Sequence, residues 1–229
     1  PAFELGYMST SKISFENAEI VREPAFWDNV EKLSKDWIFG KALTNTLIFV
    51  IASTSIEMIF GFALALAVSE LVRGRGLVRT GMLLPILIPP VAIGNIWRLM
   101  YNPDFGIINT LVTGLGLPAL DLLGLTSTAL LAVVIVDIWH WTPLVFLILL
   151  AGLEALPKDV VEAANIDGAS YWQTLLYIII PLMWPALIVA FVFRSIVAFK
   201  VFDQIFLLTS GGPGTSSEVV SLYVYKVFF

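Results

Sequence analysis

The chain of 229 residues has a mean hydropathy of +0.89, with 58% apolar side chains, only 14% charged ones and a net charge of −5. A soluble domain carries about 25% charged residues, so the missing charge indicates a lipid environment, and the scattered basic residues offer no footing for nucleic acid. No cysteine and one histidine, His140, exclude a disulfide framework, thiolate catalysis and cysteine or histidine metal centres.

The first 37 residues are polar, mixed in charge and without the pattern of a cleavable signal peptide. Four apolar stretches come next, at about residues 39–68, 77–101, 127–153 and 175–208. Each exceeds the ~20 residues that a helix needs to cross a bilayer, so tilts or kinks are expected. None shows the alternation of barrel strands, and in lipid the remaining solution is the helix. The predicted fold is therefore all-α, a polytopic transmembrane bundle over residues 37–229 behind an N-terminal segment of residues 1–36. Pro85, Pro89 and Pro90 are placed to bend or break the second span.

Arg73, Arg75 and Arg79 crowd the turn between the first two spans, whereas residues 102–126 hold Asp104 and Asp121 and no basic residue. The positive-inside tendency puts the arginine turn in the cytoplasm and the acidic loop outside. The N-terminal segment then lies outside, and the loop between the third and fourth spans, at residues 156–181, is cytoplasmic. An outside N-terminus calls for an earlier span, and residues 225–229 turn apolar again, so one further helix is expected on each side.

The cytoplasmic loop reads as helix, turn, helix. Pro157 suits a first helical position, and residues 158–166 form a short helix. Asp167 and Gly168 stop it, because glycine takes a left-handed backbone without a Cβ clash. Ser170 with Gln173 three residues later fits a capping box opening the next helix, and Pro181 stands where that helix enters the membrane.

Glu162, Ala163, Ala164, Gly168, Ile178 and Pro181 fall in register with the EAA loop of ABC importer permeases, which the segment resembles. Ile180 replaces the usual leucine. The resemblance implies that the short helix docks on an ATPase subunit, with Glu162, Ala163, Ala164, Asp167 and Gly168 as the coupling residues. Residues 39–49, FGKALTNTLIF, and residues 198–213, ending in TSGGP, resemble the carbohydrate, maltose-like branch of these permeases. That resemblance implies a six-helix type I permease in a prokaryotic inner membrane, importing a sugar or polyol. Its partners would be a second permease, two ATPase subunits and an extracytoplasmic solute-binding protein. The chain has no Gly-x-x-x-x-Gly-Lys-Ser/Thr loop, so it is no ATPase and needs no cofactor of its own; ATP and magnesium would sit on the partner. Within the family, glycerol phosphate, amino acids or peptides are alternative solutes. Outside it, span polarity alone permits an ion-coupled carrier.

Ionisable groups inside spans face a cavity, a partner chain or the bundle interior. Glu57 lies deep in the first span, facing either a solute path or a polar group on a neighbouring helix. Asp137 and His140 share a face of the third span, with Trp139 and Trp141 beside them. Such aromatic faces and hydrogen-bonding groups suit a sugar, and equally a buried Asp–His pair that holds the bundle. Arg194, nearer mid-depth, is a candidate for the solute path, for gating or for structure, and requires a partner, expected in the second permease. Lys200 and Asp203 are expected to pair near the outer surface, Arg98 to snorkel, and Trp97 and Tyr101 to belong to an interfacial aromatic belt.

Overall fold

The structure is a computed structural model that describes residues 7, 10–16, 19–71 and 74–229. Arg73 of the arginine turn lies outside the described residues. Two strands, β1 (Ser11–Glu16) and β2 (Glu19–Pro24), form an antiparallel hairpin in the register Ser11↔Pro24, the one element of sheet among the described residues of an otherwise helical chain. Helix α1 (Phe26–Lys35) is next. Asp36 then takes an extended conformation and caps the next helix, its carboxylate accepting the N–H groups of Ile38 at 2.8 Å and Phe39 at 3.2 Å.

Helix α2 (Trp37–Ser69) is the first spanning helix. The second apolar stretch is not one rod. It divides into α3 (Arg75–Leu87) and α4 (Pro90–Met100), which meet at 91°. Consecutive prolines cause this. Pro89 and Pro90 together remove two backbone donors, and Ile88, the residue before them, is driven into an extended conformation. Pro85, by contrast, is accommodated within α3. The loop to the third span contains a short helix, α5 (Ile107–Gly114). Helix α6 (Ala129–Glu154) crosses next, then the short α7 (Lys158–Ile166), then α8 (Tyr171–Phe199), which carries a π-turn over Leu175–Ile179. The fourth span ends at Phe199 rather than near residue 208. Residues 203–208 are a separate helix, α9 (Asp203–Leu208), and α10 (Val220–Phe228) closes the described chain.

Helix α6 is the hub. In its most apolar stretch 61% of residues are buried inside the fold, against 33% for α2 and 17% for α8, so α6 is surrounded by protein while α8 faces outward. The α2–α6 crossing depends on small residues. Ser53, Gly61 and Ala65 lie at four-residue spacing on the buried side of α2, interrupted only by Glu57, and a Cβ at Gly61 would come within 2.7 Å of Val145 Cγ1. In lipid, where apolar burial alone gives helices little reason to associate, such close backbone approach is the main source of packing energy.

The core has two apolar clusters. One, at the end holding the α2 N-terminus, gathers Phe49, Ile93, Val133, Val136, Ile205 and Leu222. Tyr101 belongs to it: the ring is buried and its hydroxyl donates to the Ala132 carbonyl at 3.1 Å. It is therefore a core residue rather than part of an aromatic belt, because a phenol with a partner can be buried whole. The other cluster, at the opposite end, gathers Ala65, Val68, Phe146, Leu149, Leu150 and Met183.

Candidate functional site

Between the two clusters lies a layer of charge. Glu57 from α2, Asp137 from α6 and Arg194 from α8 meet there, all buried. The Arg194 Nε donates to Glu57 Oε2, and its Nη2 donates to Glu57 Oε1 at 2.9 Å and to Asp137 Oδ2. Asp137 lies eight residues from the start of α6 and seventeen from its end, so the layer sits ~12 Å from one end and ~26 Å from the other. Arg194 thus finds its partners within its own chain, not in a second subunit. The three helices bring the groups together because each presents its ionisable residue on its protein-facing side, the only place where lipid does not penalise it. The guanidinium also sits 5.3 Å from the ring centroid of Trp141, a cation–π distance.

A cavity of about 190 Å³ opens beside the triad. Asp137, His140, Trp141 and Arg194 line it, together with Gln204 from α9. His140 Nδ1 lies 3.3 Å from Gln204 Nε2. His140 and Asp137 do share the cavity face: Asp137 is ion-paired with Arg194, and Gln204 lies beside both Asp137 and His140. The Arg194 Nη1, although buried, has no hydrogen-bond partner among the described residues. Gln204 carried no sequence signal, since its approach depends on the turn after Phe199. Trp139 lies elsewhere, packed edge-on against Trp97 at 5.5 Å. Lys200 and Asp203 both line the cavity, yet no ion pair joins them among the described residues. The i,i+3 argument needs a continuous helix, and α8 has already ended at Phe199, before both residues, while α9 begins only at Asp203.

At the opposite end of the bundle, α7 forms one arm of an elbow. Pro157 stands just before its first residue, as the N-cap. Its C-terminus is a complete Schellman motif: the Ala169 N–H donates to the Ala164 carbonyl at 3.0 Å, and the Gly168 N–H to the Asn165 carbonyl at 3.2 Å. Gly168 has a φ of +79°, and a Cβ there would meet nothing within 4 Å, so glycine is required by backbone conformation and not by crowding. The other arm opens with a capping box, the Ser170 N–H donating to Gln173 Oε1 at 2.8 Å and the Gln173 N–H to Ser170 Oγ at 3.4 Å. The π-turn comes just before Pro181, whose missing N–H leaves the helix free to widen there.

Ala164 is the one buried residue of the coupling set, while Glu162, Ala163, Asp167 and Gly168 are not buried. Glu162 forms no ion pair among the described residues. A groove of about 600 Å³, lined by residues including Glu70, Arg75, Glu154, Val161 and Glu162, separates the elbow from the ends of α2 and α6. Arg75 and Arg79 both reach Glu154 at the end of α6, Arg75 at 3.2 Å. Arg75 and Arg79 of the arginine turn and the elbow therefore share one end of the molecule.

At the far end, the start of α2 packs on the residues that follow the TSGGP segment. Asn45 Nδ2 donates to the carbonyls of Thr215 at 3.0 Å and Glu218 at 2.9 Å, and Thr46 Oγ1 accepts the Val220 N–H at 3.0 Å. Tyr223 donates to Asp36 at 2.6 Å. That bond and the Phe39 N–H hold the Asp36 carboxyl below the usual carboxylate range.

Multiple apolar helices around a buried charge layer define a multi-pass membrane protein. The chain belongs to the family described as binding-protein-dependent transport system inner membrane components, which it matches over residues 57–225. It is 42% identical to the trehalose/maltose transport system permease protein MalF of Thermococcus litoralis over 80% of this chain and 62% of that one. It is 35% identical to the trehalose transport system permease protein SugA of Mycobacterium tuberculosis, over 100% of this chain and 73% of the relative. Among solved structures, a bacterial ABC transporter involved in the import of the acidic polysaccharide alginate superposes with a TM-score of 0.79 at 25% identity, covering 89% of this chain and 72% of the other. The chain spans 62% of the length of the first curated relatives it matches.

Proposed function

We propose that this chain is a permease subunit of an ATP-driven, binding-protein-dependent importer of a sugar or polyol in a prokaryotic cell membrane. It pairs with a second permease to form the path, receives solute from an extracytoplasmic binding protein, and is driven by two separate ATPase subunits that bind ATP and magnesium. The observation that carries this reading is the elbow. A Schellman stop at Gly168 runs directly into a capping box at Ser170, so a short exposed helix is joined stiffly to a spanning one. Glu162 and Ala163, both open to solvent, offer a partner one charge and a close approach, and a push on α7 is passed to α8 as rigid-body motion. Arg75 and Arg79 at the same end support its cytoplasmic placement. The names of the relatives support a sugar as solute.

The cavity beside Arg194 is the candidate stretch of the solute path, with Trp141 as a stacking face and His140, Gln204 and the free Arg194 Nη1 as hydrogen-bonding groups. Its 190 Å³ is below the ~300–1,000 Å³ of ordinary ligand pockets, so a solute longer than one ring needs the helices to part. Trp139, turned to Trp97, has no part in it.

The test is reconstitution of the complete complex in vesicles. We expect Glu162→Lys to leave the permease in the membrane and to abolish both uptake and the stimulation of ATP hydrolysis by solute-loaded binding protein. Full uptake in cells lacking any partner ATPase would overturn the proposal.

A further inference from the structure

Among the described residues, helix α1 has a face with no partner. In its sequence, FWDNVEKLSK, helical spacing gathers Phe26, Val30 and Leu33 into one stripe with Trp27 at its edge, and puts Asp28, Glu31, Lys32 and Lys35 around the remainder. None of its residues is buried; Trp27 is 77% exposed, and Phe26, Val30 and Leu33 are exposed with it. On the polar side Lys35 pairs with Glu31 at 2.5 Å. The helix is nonetheless held at both ends. The Ala25 N–H donates to the Thr10 carbonyl at 2.8 Å, fixing its start to the hairpin, and Asp36, bonded to Tyr223, fixes its end.

We infer that α1 lies along the membrane–water interface, with its apolar stripe in the boundary between lipid headgroups and acyl chains. Three observations select lipid as the occupant. A single residue, Asp36, separates α1 from a spanning helix, so its height is that of the bilayer surface. The apolar stripe continues into a side of α2 that protein leaves open: Trp37 is 68% exposed, and Ile48, Ile51 and Ile59, on the same side by helical spacing, are exposed too. Tryptophans at both ends and lysines on the opposite face are the composition of an interfacial helix, with indole at headgroup depth and ammonium groups toward phosphate. The hairpin and α1 then brace the outer end of α2 against the bilayer.

The 229 residues contain no cysteine, so single cysteines can be introduced without clearing others from this chain. Val30→Cys, Leu33→Cys, Asp28→Cys and Lys32→Cys are each labelled with bimane in the full complex, its partner subunits made cysteine-free, in phosphatidylethanolamine–phosphatidylglycerol vesicles. Brominated acyl chains are expected to quench positions 30 and 33 about threefold more than positions 28 and 32, the contrast of an amphipathic helix lying in the interface. Equal quenching at all four positions would overturn the inference. So would shielding of 30 and 33 from an aqueous quencher that arises only when soluble binding protein is added, because the stripe would then be a protein-docking face. The polar-face variants alter no stripe residue, so loss of the helix itself is recognised separately.

Discussion

The charged layer and the elbow lie at different depths of one bundle and solve opposite problems. Glu57, Asp137 and Arg194 are turned inward, and apart from Arg194 Nη1 they satisfy one another. The elbow closes only its backbone, through Gly168 and the Ser170–Gln173 box, and leaves Glu162 and Ala163 open. Charge that must persist in a low-dielectric interior is paired within the chain. The elbow's exposed charge at Glu162 has no ion pair among the described residues and is held by water, as the proposed docking of a partner would require. Damage to the layer should therefore appear in stability, and damage to the elbow in the proposed coupling.

The largest expected effect comes from breaking the layer. Arg194→Met leaves two carboxylates unpaired in the core and should cost about 3–5 kcal/mol, seen as a lowered unfolding temperature of the purified protein. The triple replacement Glu57→Met, Asp137→Leu, Arg194→Met removes the charge altogether and should recover most of that loss, since apolar packing often equals a buried ion pair. Recovered stability without recovered uptake would assign the layer to transport as well as to folding.

Next in size is the crossing of the hub. Gly61→Val forces a side chain toward Val145 and the Phe146 backbone and should cost roughly 1–3 kcal/mol by overpacking, again read from the unfolding temperature. The smallest stability effect belongs to the elbow. Gly168→Ala meets open space, so only the left-handed backbone is penalised, by about 1–2 kcal/mol. Hydrogen exchange should rise in residues 158–173 and nowhere in the layer. A rise spreading through α6 would show that the two regions are mechanically one.

Legibility in the sequence tracked the range of the interactions. The elbow could be read to within a residue, the only slip being Pro157 as cap instead of first helical residue, because every bond that forms it joins residues no more than five apart. The break at Pro89 and Pro90 was equally local. The layer was legible only as three suspects. The contact between Glu57 and Arg194 spans 137 positions, and no periodicity in either helix states which of its neighbours the other will be. The expected pairing of Lys200 with Asp203 shows the same limit from the other side, since local spacing is informative only while the helix continues.

Composition and apolar length thus determined by themselves that the chain is a helical membrane protein, and local stop and cap chemistry determined its elbow. The tertiary structure alone decided that the two halves of the second stretch meet at 91°, that α6 is the hub, and that one arginine answers two carboxylates between two apolar clusters. The physical reason is that hydropathy and capping are written in neighbouring residues. The pairing of buried charges depends instead on which helix faces meet, and that is set by the packing of the whole bundle.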